Sequence, residues 1–464
     1  MNIIMRGEKQ MANPDFENVK RRIKKIRRAE EGNKTYLRRH RIGEYLPGQV
    51  IYNLGDYPKR FSIEPTEYDF NLLKDMAENG VKVLQVHEEW NDAIRHLGAD
   101  KFSSHDHEGM KNFVKLCHSF GIKILPYVST GYFDVRDPDF KESFSRSKYG
   151  YHAEHLYYRK CYAGSPEWRT YLLPKLYGAV ETYGFDGIFN DWGYDGGNLY
   201  IEKMQKEGKD LSGEQSLEMP YDPELEDLLS EIYLEIKRRG GIVKIHCDRN
   251  NKPPCKDKVY DYIWIGECVK SDDFGAGKDY DLYVVPCEHG EFSKGKNPDL
   301  YYVKTIPFMQ FPLLKRGRPL MGSGIYEKGV DYVEIGDFLH HKKVGEYMKD
   351  HPNGPFVYSL WSTIPDDTQE YSRWCRYMKL YEPMVKQNSV AYIELKESSY
   401  IVSLIPDKVC VSMFVNEEEY MVASNLGTDT YELVLKDEWT DRVSGENGKI
   451  HKVKPDTITF LKKI

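Results

Sequence analysis

The stretch YGFDGIFNDWGYDGG, residues 183–197, sets Asp186 and Asp191 in one short apolar run that exits into Trp192 and glycines. Strand alternation puts Gly187, Phe189 and Asp191 on one face and Asp186, Ile188 and Asn190 on the other. The two acids therefore cannot act as a pair. Asp186 belongs to the start of the strand in a structural role, and a partner for Asp191 must come from another strand. Carboxylates set among large rings suit carbohydrate chemistry, because a ring offers its flat face to the C–H side of a pyranose and a carboxylate accepts from its hydroxyls. Cleaving a glycosidic bond takes two carboxyl groups in different states. One, ionised, attacks or shields the anomeric carbon; the other, protonated, supplies the leaving oxygen.

Such side chains meet only if a scaffold gathers strand ends at one place. From Gln49 onward short apolar runs alternate with amphipathic stretches. QVIYNL (49–54) precedes YDFNLLKDMAENG, VKVLQV (81–86) precedes DHEGMKNFVKLCHSFG, and IKILPYV (122–128) precedes a long loop and PEWRTYLLPKLYGAVETYG. FDGIFN, PELEDLLSEIYLEIKRRGG, IVKIHC (242–247) and YDYIWIG (260–266) follow. The runs are β-branched or aromatic, as strands buried on both faces should be. The helices stop at Gly80, Gly121, Gly184 and Gly240. Ser165-Pro166-Glu167 opens a helix with a capping hydroxyl, a proline at the first position and a carboxylate facing the helix dipole.

Repeated strand–helix units predict parallel strands with right-handed crossovers. No Gly-rich phosphate turn follows any strand, so residues 46–387 are expected to form a (β/α)8 TIM barrel. The seventh strand is expected at YDLYVVPC (280–287) or YYVKTIPFM (301–309) and the eighth at FVYSLWS (356–362), with DTQEYSRWCRYMKLYEPMVK closing the ring. Residues 388–464 alternate as short strands between turns and predict a small C-terminal antiparallel β-sandwich.

In a barrel, side chains at the carboxyl ends of strands converge on one mouth. Those ends supply Asp56; Glu88, Glu89, Trp90 and Asp92; Tyr127 and Thr130; Asp191 and Trp192; His246, Asp248 and Arg249; Glu267; Trp361 and Asp366. Asp191 is a candidate catalytic carboxylate. Glu267, near the Trp264 indole, is the expected proton donor, because a poorly solvated carboxyl keeps its proton; Asp272 and Asp273 are alternatives. Asp56, Glu89, Trp90, Tyr127, Trp192, His246, Asp248, Trp264 and Trp361 are expected to contact substrate.

Gly184-Phe185-Asp186-Gly187-Ile188-Phe189-Asn190-Asp191 resembles the G-x-D-G-x-W-x-D signature of glycoside hydrolase family 31 α-glucosidases. More distantly it is similar to the nucleophile strands of family 27 and 36 α-galactosidases and family 13 amylases. The helix PEWRTYLLPKLYGAVETYG resembles the one before that strand in family 36, and Trp264-Ile265-Gly266-Glu267 resembles the W-x-G-D run that carries the acid/base in family 31. The resemblance implies a retaining α-glycosidase with its nucleophile, here Asp191, at the end of strand four, a small C-terminal β-domain and no cofactor. Phe189 stands where the signature has Trp, Trp192-Gly193-Tyr194 where it has M-N-E, and Glu267 where the acid/base is Asp.

Two other readings remain open at this stage. His105, His107, His246 and Asp248 would serve a metal-dependent barrel hydrolase, and the same rings and acids would serve a sugar-binding barrel without catalysis. Residues 1–45 carry VKRRIKKIRR (19–28), a basic, mostly helical extension expected to be a solvated face. The net charge of -7 and the 13% aromatic content, with 36 Tyr, argue against a nucleic-acid partner and for a carbohydrate cleft. No secretory h-region or membrane span is legible, so a cytoplasmic protein without a membrane partner is expected. The 8 cysteines form no CxxC pair and are expected to be reduced.

Overall fold

The computed structural model describes residues 14–55, 62–91, 102–135, 137–146, 150–153, 156–192, 221–247, 253–265, 278, 283–287, 297–318 and 368–464. Its centre is an eight-stranded, all-parallel sheet. In chain order its strands are β2 (Gln49–Asn53), β3 (Val83–Val86), β4 (Lys123–Ser129), β8 (Gly187–Asp191), β9 (Ile242–Cys247), β10 (Tyr262–Ile265), β11 (Val284–Pro286) and β12 (Leu314–Gly317). The last strand pairs with the first, Leu314 opposite Val50. The amide of Leu313 donates to the carbonyl of Pro286 at 2.8 Å and links β12 to β11. The sheet thereby returns on itself as a (β/α)8 barrel.

Helices α2 (Glu67–Glu78), α3 (His107–Ser119), α4 (Pro166–Tyr183) and α5 (Pro223–Arg238) lie between successive strands. Each begins on a side chain that accepts from its first turn: Thr66, Asp106, Ser165 and Asp222. Ile188 and Ile245 pack outward against the helices, whereas Phe189, Leu125, Tyr262 and Trp264 fill the barrel interior.

The eighth strand is Leu314–Gly317, not the segment 356–362, which lies outside the described residues. Two of its four residues are cations, so it carries no apolar run. Arg316 is spent on the outer face over the Tyr371 ring, 4.9 Å from the centroid. Of the two places expected for the seventh strand, 280–287 holds β11, while 301–309 is a short helix, α6 (Leu300–Thr305), and a tight turn. Helix α7 (Thr368–Tyr381) follows the barrel.

Between β4 and α4 the chain inserts a three-stranded antiparallel sheet of β5 (Tyr132–Asp134), β6 (Gly150–Ala153) and β7 (Leu156–Lys160). A seven-stranded antiparallel sheet forms the C-terminal domain, with β13 (Val390–Ser398), β14 (Val409–Val415), β15 (Glu419–Asn425), β16 (Tyr431–Asp441), β17 (Asn447–Val453) and β18 (Thr457–Lys463). Its seventh strand is β1 (Asn33–Arg41), which pairs antiparallel with β13. The basic amino-terminal segment is therefore helix α1 (Pro14–Gly32) followed by an edge strand of the C-terminal domain. The sheet encloses a core of its own, with Ala29 of α1 packed beside Tyr392, Met413 and Trp439.

Glycine is required where β8 begins. A Cβ on Gly187 would lie 1.9 Å from the carbonyl oxygen of Ile242, and its φ is +143°. Strand β9 can approach β8 this closely only because position 187 has no side chain. Asp186 caps the neighbouring strand: its carboxylate accepts from the Ile124 amide at 2.9 Å and lies 2.8 Å from His118 Nε2. Asp261 does the same for the Val243 amide at 2.9 Å. Asp186 is thus structural, as alternation requires.

Candidate active site

Asp191 ends β8 at the carboxyl edge of the barrel and points inward, with 23% of its side chain exposed. Three contacts fix its position. The Thr130 amide donates to the Asp191 carbonyl at 3.0 Å. The Tyr127 hydroxyl donates to Oδ2 at 2.7 Å. Nδ1 of His246 lies 3.5 Å from Oδ1. One carboxylate oxygen is thus addressed from β4 and the other from β9, which sets the rotation of the group about its last bond.

Below and beside it lie rings. The His246 imidazole packs on the Trp264 indole with centroids 4.7 Å apart, and Phe189 meets the same indole at 5.6 Å. His87, just past β3, stacks on Tyr127 at 5.8 Å and 19°, and its Nε2 lies 2.6 Å from Gln85 Nε2. Five consecutive strands, β3, β4, β8, β9 and β10, so contribute a continuous aromatic wall ending in one carboxylate. Within it Tyr127, His87, Phe189 and Trp264 are buried, and Asp191 and His246 are the groups that keep some exposure.

One layer deeper, Lys244 projects into the barrel from β9. It is 0% exposed, and its Nζ lies 5.7 Å from the Phe189 centroid. Among the described residues that amine has no hydrogen-bond partner. Burial pulls its pKa from the ordinary lysine value down to about 7, opposed only slightly by Cys287.

The structure brings together Asp191, Tyr127, His246 and Trp264 from the residues expected at the mouth. Glu89 is fully buried in the turn after β3. Trp90 does not face the mouth: it is 0% exposed, donates Nε1–H to the Tyr127 carbonyl at 2.8 Å, and packs edge-on against Phe185 and Tyr183 in the outer layer. Trp192 is likewise turned outward by alternation, with its Nε1–H on the His246 carbonyl at 2.7 Å. Both indoles therefore brace the strand ends instead of lining the mouth. Asp56, Asp248, Glu267, Trp361, Asp272 and Asp273 lie outside the described residues.

His87 and Lys244 went unnoticed in the sequence. Alternation could have found both, since Val83, Gln85 and His87 share one face, as do Ile242, Lys244 and His246. His105 and His107 are engaged elsewhere, His105 Nδ1 with the Asn91 carbonyl at 2.8 Å and His107 Nδ1 with the Tyr183 hydroxyl at 2.7 Å. Among the described residues no group of three or more His, Cys, Asp or Glu could hold a metal ion. Six cysteines are described as free thiols. Among the described residues no helix is long and apolar enough to cross a membrane.

No protein-family model matches the chain, and no curated protein matches it in sequence. Solved structures do share its fold. An α-glucosyl transfer enzyme superposes with a TM-score of 0.52 at 11% identity, covering 90% of this chain and 99% of that one. The trehalose-6-phosphate hydrolase of Bacillus licheniformis gives 0.51 at 12% identity, covering 91% and 100%. A maltogenic α-amylase of Thermotoga neapolitana gives 0.50 at 11% identity, covering 90% and 96%. The architecture is thus that of a TIM barrel with a C-terminal β-domain, as in amylase-type glycoside hydrolases. These structures belong to the amylase side of the resemblance drawn from the sequence, not to families 31, 36 or 27.

Proposed function

We propose that this protein is a retaining glycosidase acting on α-linked glycosides, with Asp191 as nucleophile and Glu267 as the proton donor. The observation that carries the reading is the placement of Asp191: an inward carboxylate at the end of the fourth barrel strand, oriented by Tyr127 and His246 and floored by rings. Its support from other proteins is architectural, since the glucosyl transfer enzyme, the trehalose-6-phosphate hydrolase and the amylase share this fold. The sequence GFDGIFND also resembles a signature whose last acid is the nucleophile. Family 31, 36 or 27 membership rests on the sequence resemblances alone, namely that signature, the helix before it and the Trp264–Glu267 run.

In the proposed reaction Asp191 Oδ attacks the anomeric carbon as Glu267 protonates the departing oxygen. Glu267, now ionised, then deprotonates the water that releases the sugar. Transfer to a sugar hydroxyl in place of water makes the same enzyme a transglycosylase. Tyr127, His246 and Trp264 would line the site. Asp56, Asp248 and Trp361 complete the proposed sugar-binding set.

A panel of nitrophenyl α- and β-glycosides tests the reading on wild type, Asp191→Asn and Glu267→Gln. The reading expects an α-glycoside to be turned over and each variant to lose most of that turnover. In Glu267→Gln the loss should be smaller for an activated dinitrophenyl leaving group, which needs no proton. A leaving-group pattern that appears in Asp272→Asn or Asp273→Asn instead would move the acid role there, and unchanged turnover in Asp191→Asn would end the proposal.

A further inference from the structure

Residues 315–318 include Lys315, Arg316 and Arg318, and two of these cations are spent on the protein itself. Arg316 turns outward over the Tyr371 ring, and Arg318 holds Asp69 together with the carbonyls of Leu54, Ile63 and Glu64. Lys315 turns the other way. It alternates with Leu313 and lies opposite Ile51 of β2, both of them residues of the barrel interior. Its side chain is half-buried, and among the described residues it has no hydrogen-bond or ion-pair partner.

The exposed part of Lys315 opens toward the mouth. The other end of the barrel is closed by Tyr45, Leu46 and Tyr283, which pack against the interior cluster. Tyr45 stacks on Tyr283 at 4.6 Å, and the Leu46 amide donates to the Tyr262 hydroxyl at 2.9 Å. Above Lys315 its own strand brings no side chain, because residue 317 is glycine, and a Cβ there would lie 2.3 Å from the Asn53 amide nitrogen. Strands β8 and β12 are the fourth and eighth of the barrel, so Asp191 and Lys315 project into one interior from opposite sides. A barrel of eight strands has room there for one small ligand.

A half-buried ammonium gives up part of its water, and Lys315 gains no acceptor in exchange. It carries three donors, and an anionic oxygen satisfies them better than a neutral hydroxyl does. Asp191 across the barrel is already engaged by Tyr127 and His246. On the glycosidase reading, we propose that the sugar held against Asp191 carries a negative charge, a phosphate monoester or a carboxylate, and that Lys315 is the residue that selects it. The substrates are then anionic α-glycosides, whose charged group lies on the side of the sugar away from the nucleophile.

Calorimetric titration of the full chain tests it with methyl α-glucoside, α-galactoside and α-mannoside, their 6-phosphates and the corresponding uronides. Wild type, Lys315→Met and Lys315→Arg are compared; no contact holds the Lys315 side chain, so both variants should melt like wild type. Expected is a charged sugar bound about tenfold or more tightly than its neutral parent. Lys315→Met should erase that preference and Lys315→Arg should largely keep it. A preference for the phosphate identifies a phosphorylated sugar, and one for the carboxylate a uronide. Charged and neutral sugars bound alike, no charged sugar bound, or a preference untouched by Lys315→Met overturns the proposal. Nitrophenyl derivatives of the same sugars separate it from the glycosidase reading. A charged sugar selected through Lys315 but never cleaved ends that reading and leaves the selection standing, whereas cleavage through Asp191 with no preference for charge ends the selection alone.

Discussion

The hydroxyl of Tyr127 donates to Oδ2 of Asp191 at 2.7 Å, across the seam between β4 and β8. These strands are hydrogen-bonded neighbours with Tyr127 opposite Phe189, so the hydroxyl reaches one layer up to the end of the next strand. Removing it leaves the backbone in place and frees the carboxylate to rotate. Tyr127→Phe should lower kcat on whichever glycoside is turned over by about tenfold to a hundredfold, with KM changed far less. A KM effect alone would make Tyr127 a sugar ligand and not an orienter of Asp191.

Lys244 is an amine in an apolar interior, and its effect on stability has a defined sign. Below pH about 7 both folded and unfolded chains hold its proton, and the full cost of burying the charge is present. Between about 7 and the ordinary lysine value near 10.4 only the unfolded chain keeps the proton, so stability rises with pH. Lys244→Met should therefore be more stable than wild type at pH 6, on the order of 2 kcal/mol, with the gap narrowing toward pH 10. Denaturant unfolding of both proteins across that range checks it; a gap independent of pH would contradict a charged amine in the folded state.

Asp69 also makes stability rise with pH, but in the acid range. It is fully buried, and Arg318 grips it with two contacts of 2.9 Å while Tyr52 donates at 2.6 Å. Burial alone would raise its carboxyl; the hydrogen bonds from Arg318, Tyr52 and the Thr66 amide outweigh it and hold the group below the ordinary value. Its contribution is present above the unfolded value near 3.9 and is lost as pH falls through the folded one. Asp69→Asn should cost about 3–5 kcal/mol at neutral pH by stranding the Arg318 guanidinium. The difference from wild type should shrink in acid.

Trp90 supplies a contrast with the site. Its indole is buried between β4 and α4 with its N–H satisfied. Trp90→Phe should lower Tm by several degrees through the lost hydrogen bond and the smaller ring, leaving KM unchanged. A raised KM at unchanged Tm would return Trp90 to the mouth.

The sequence makes the barrel legible because its strands are apolar on both faces and its helices end on glycine, both local properties. The same alternation that reveals β8 also places Asp186 and Asp191 on opposite faces, and the structure bears this out. Two things escaped. Strand β12 is recognised only by its partners, since Lys315 and Arg316 hide it in a run that reads as polar. The outward turn of Trp90 and Trp192 depends on where each strand ends, a matter of one residue, and one residue reverses which way a ring points. The β1 strand is similar: its exposed, cationic residues carry no strand signal, and β13 recruits it as an edge.

The claim on which the rest depends is that Asp191 forms a bond to the sugar. A panel of 5-fluoro-α-glycosyl fluorides, which slow release of a covalent intermediate more than its formation, followed by peptide mapping in a mass spectrometer, tests it directly. The account predicts a glycosyl adduct on the peptide containing Asp191, absent in Asp191→Asn. An adduct on another carboxylate, or turnover of an α-glycoside that survives Asp191→Asn undiminished, would contradict it.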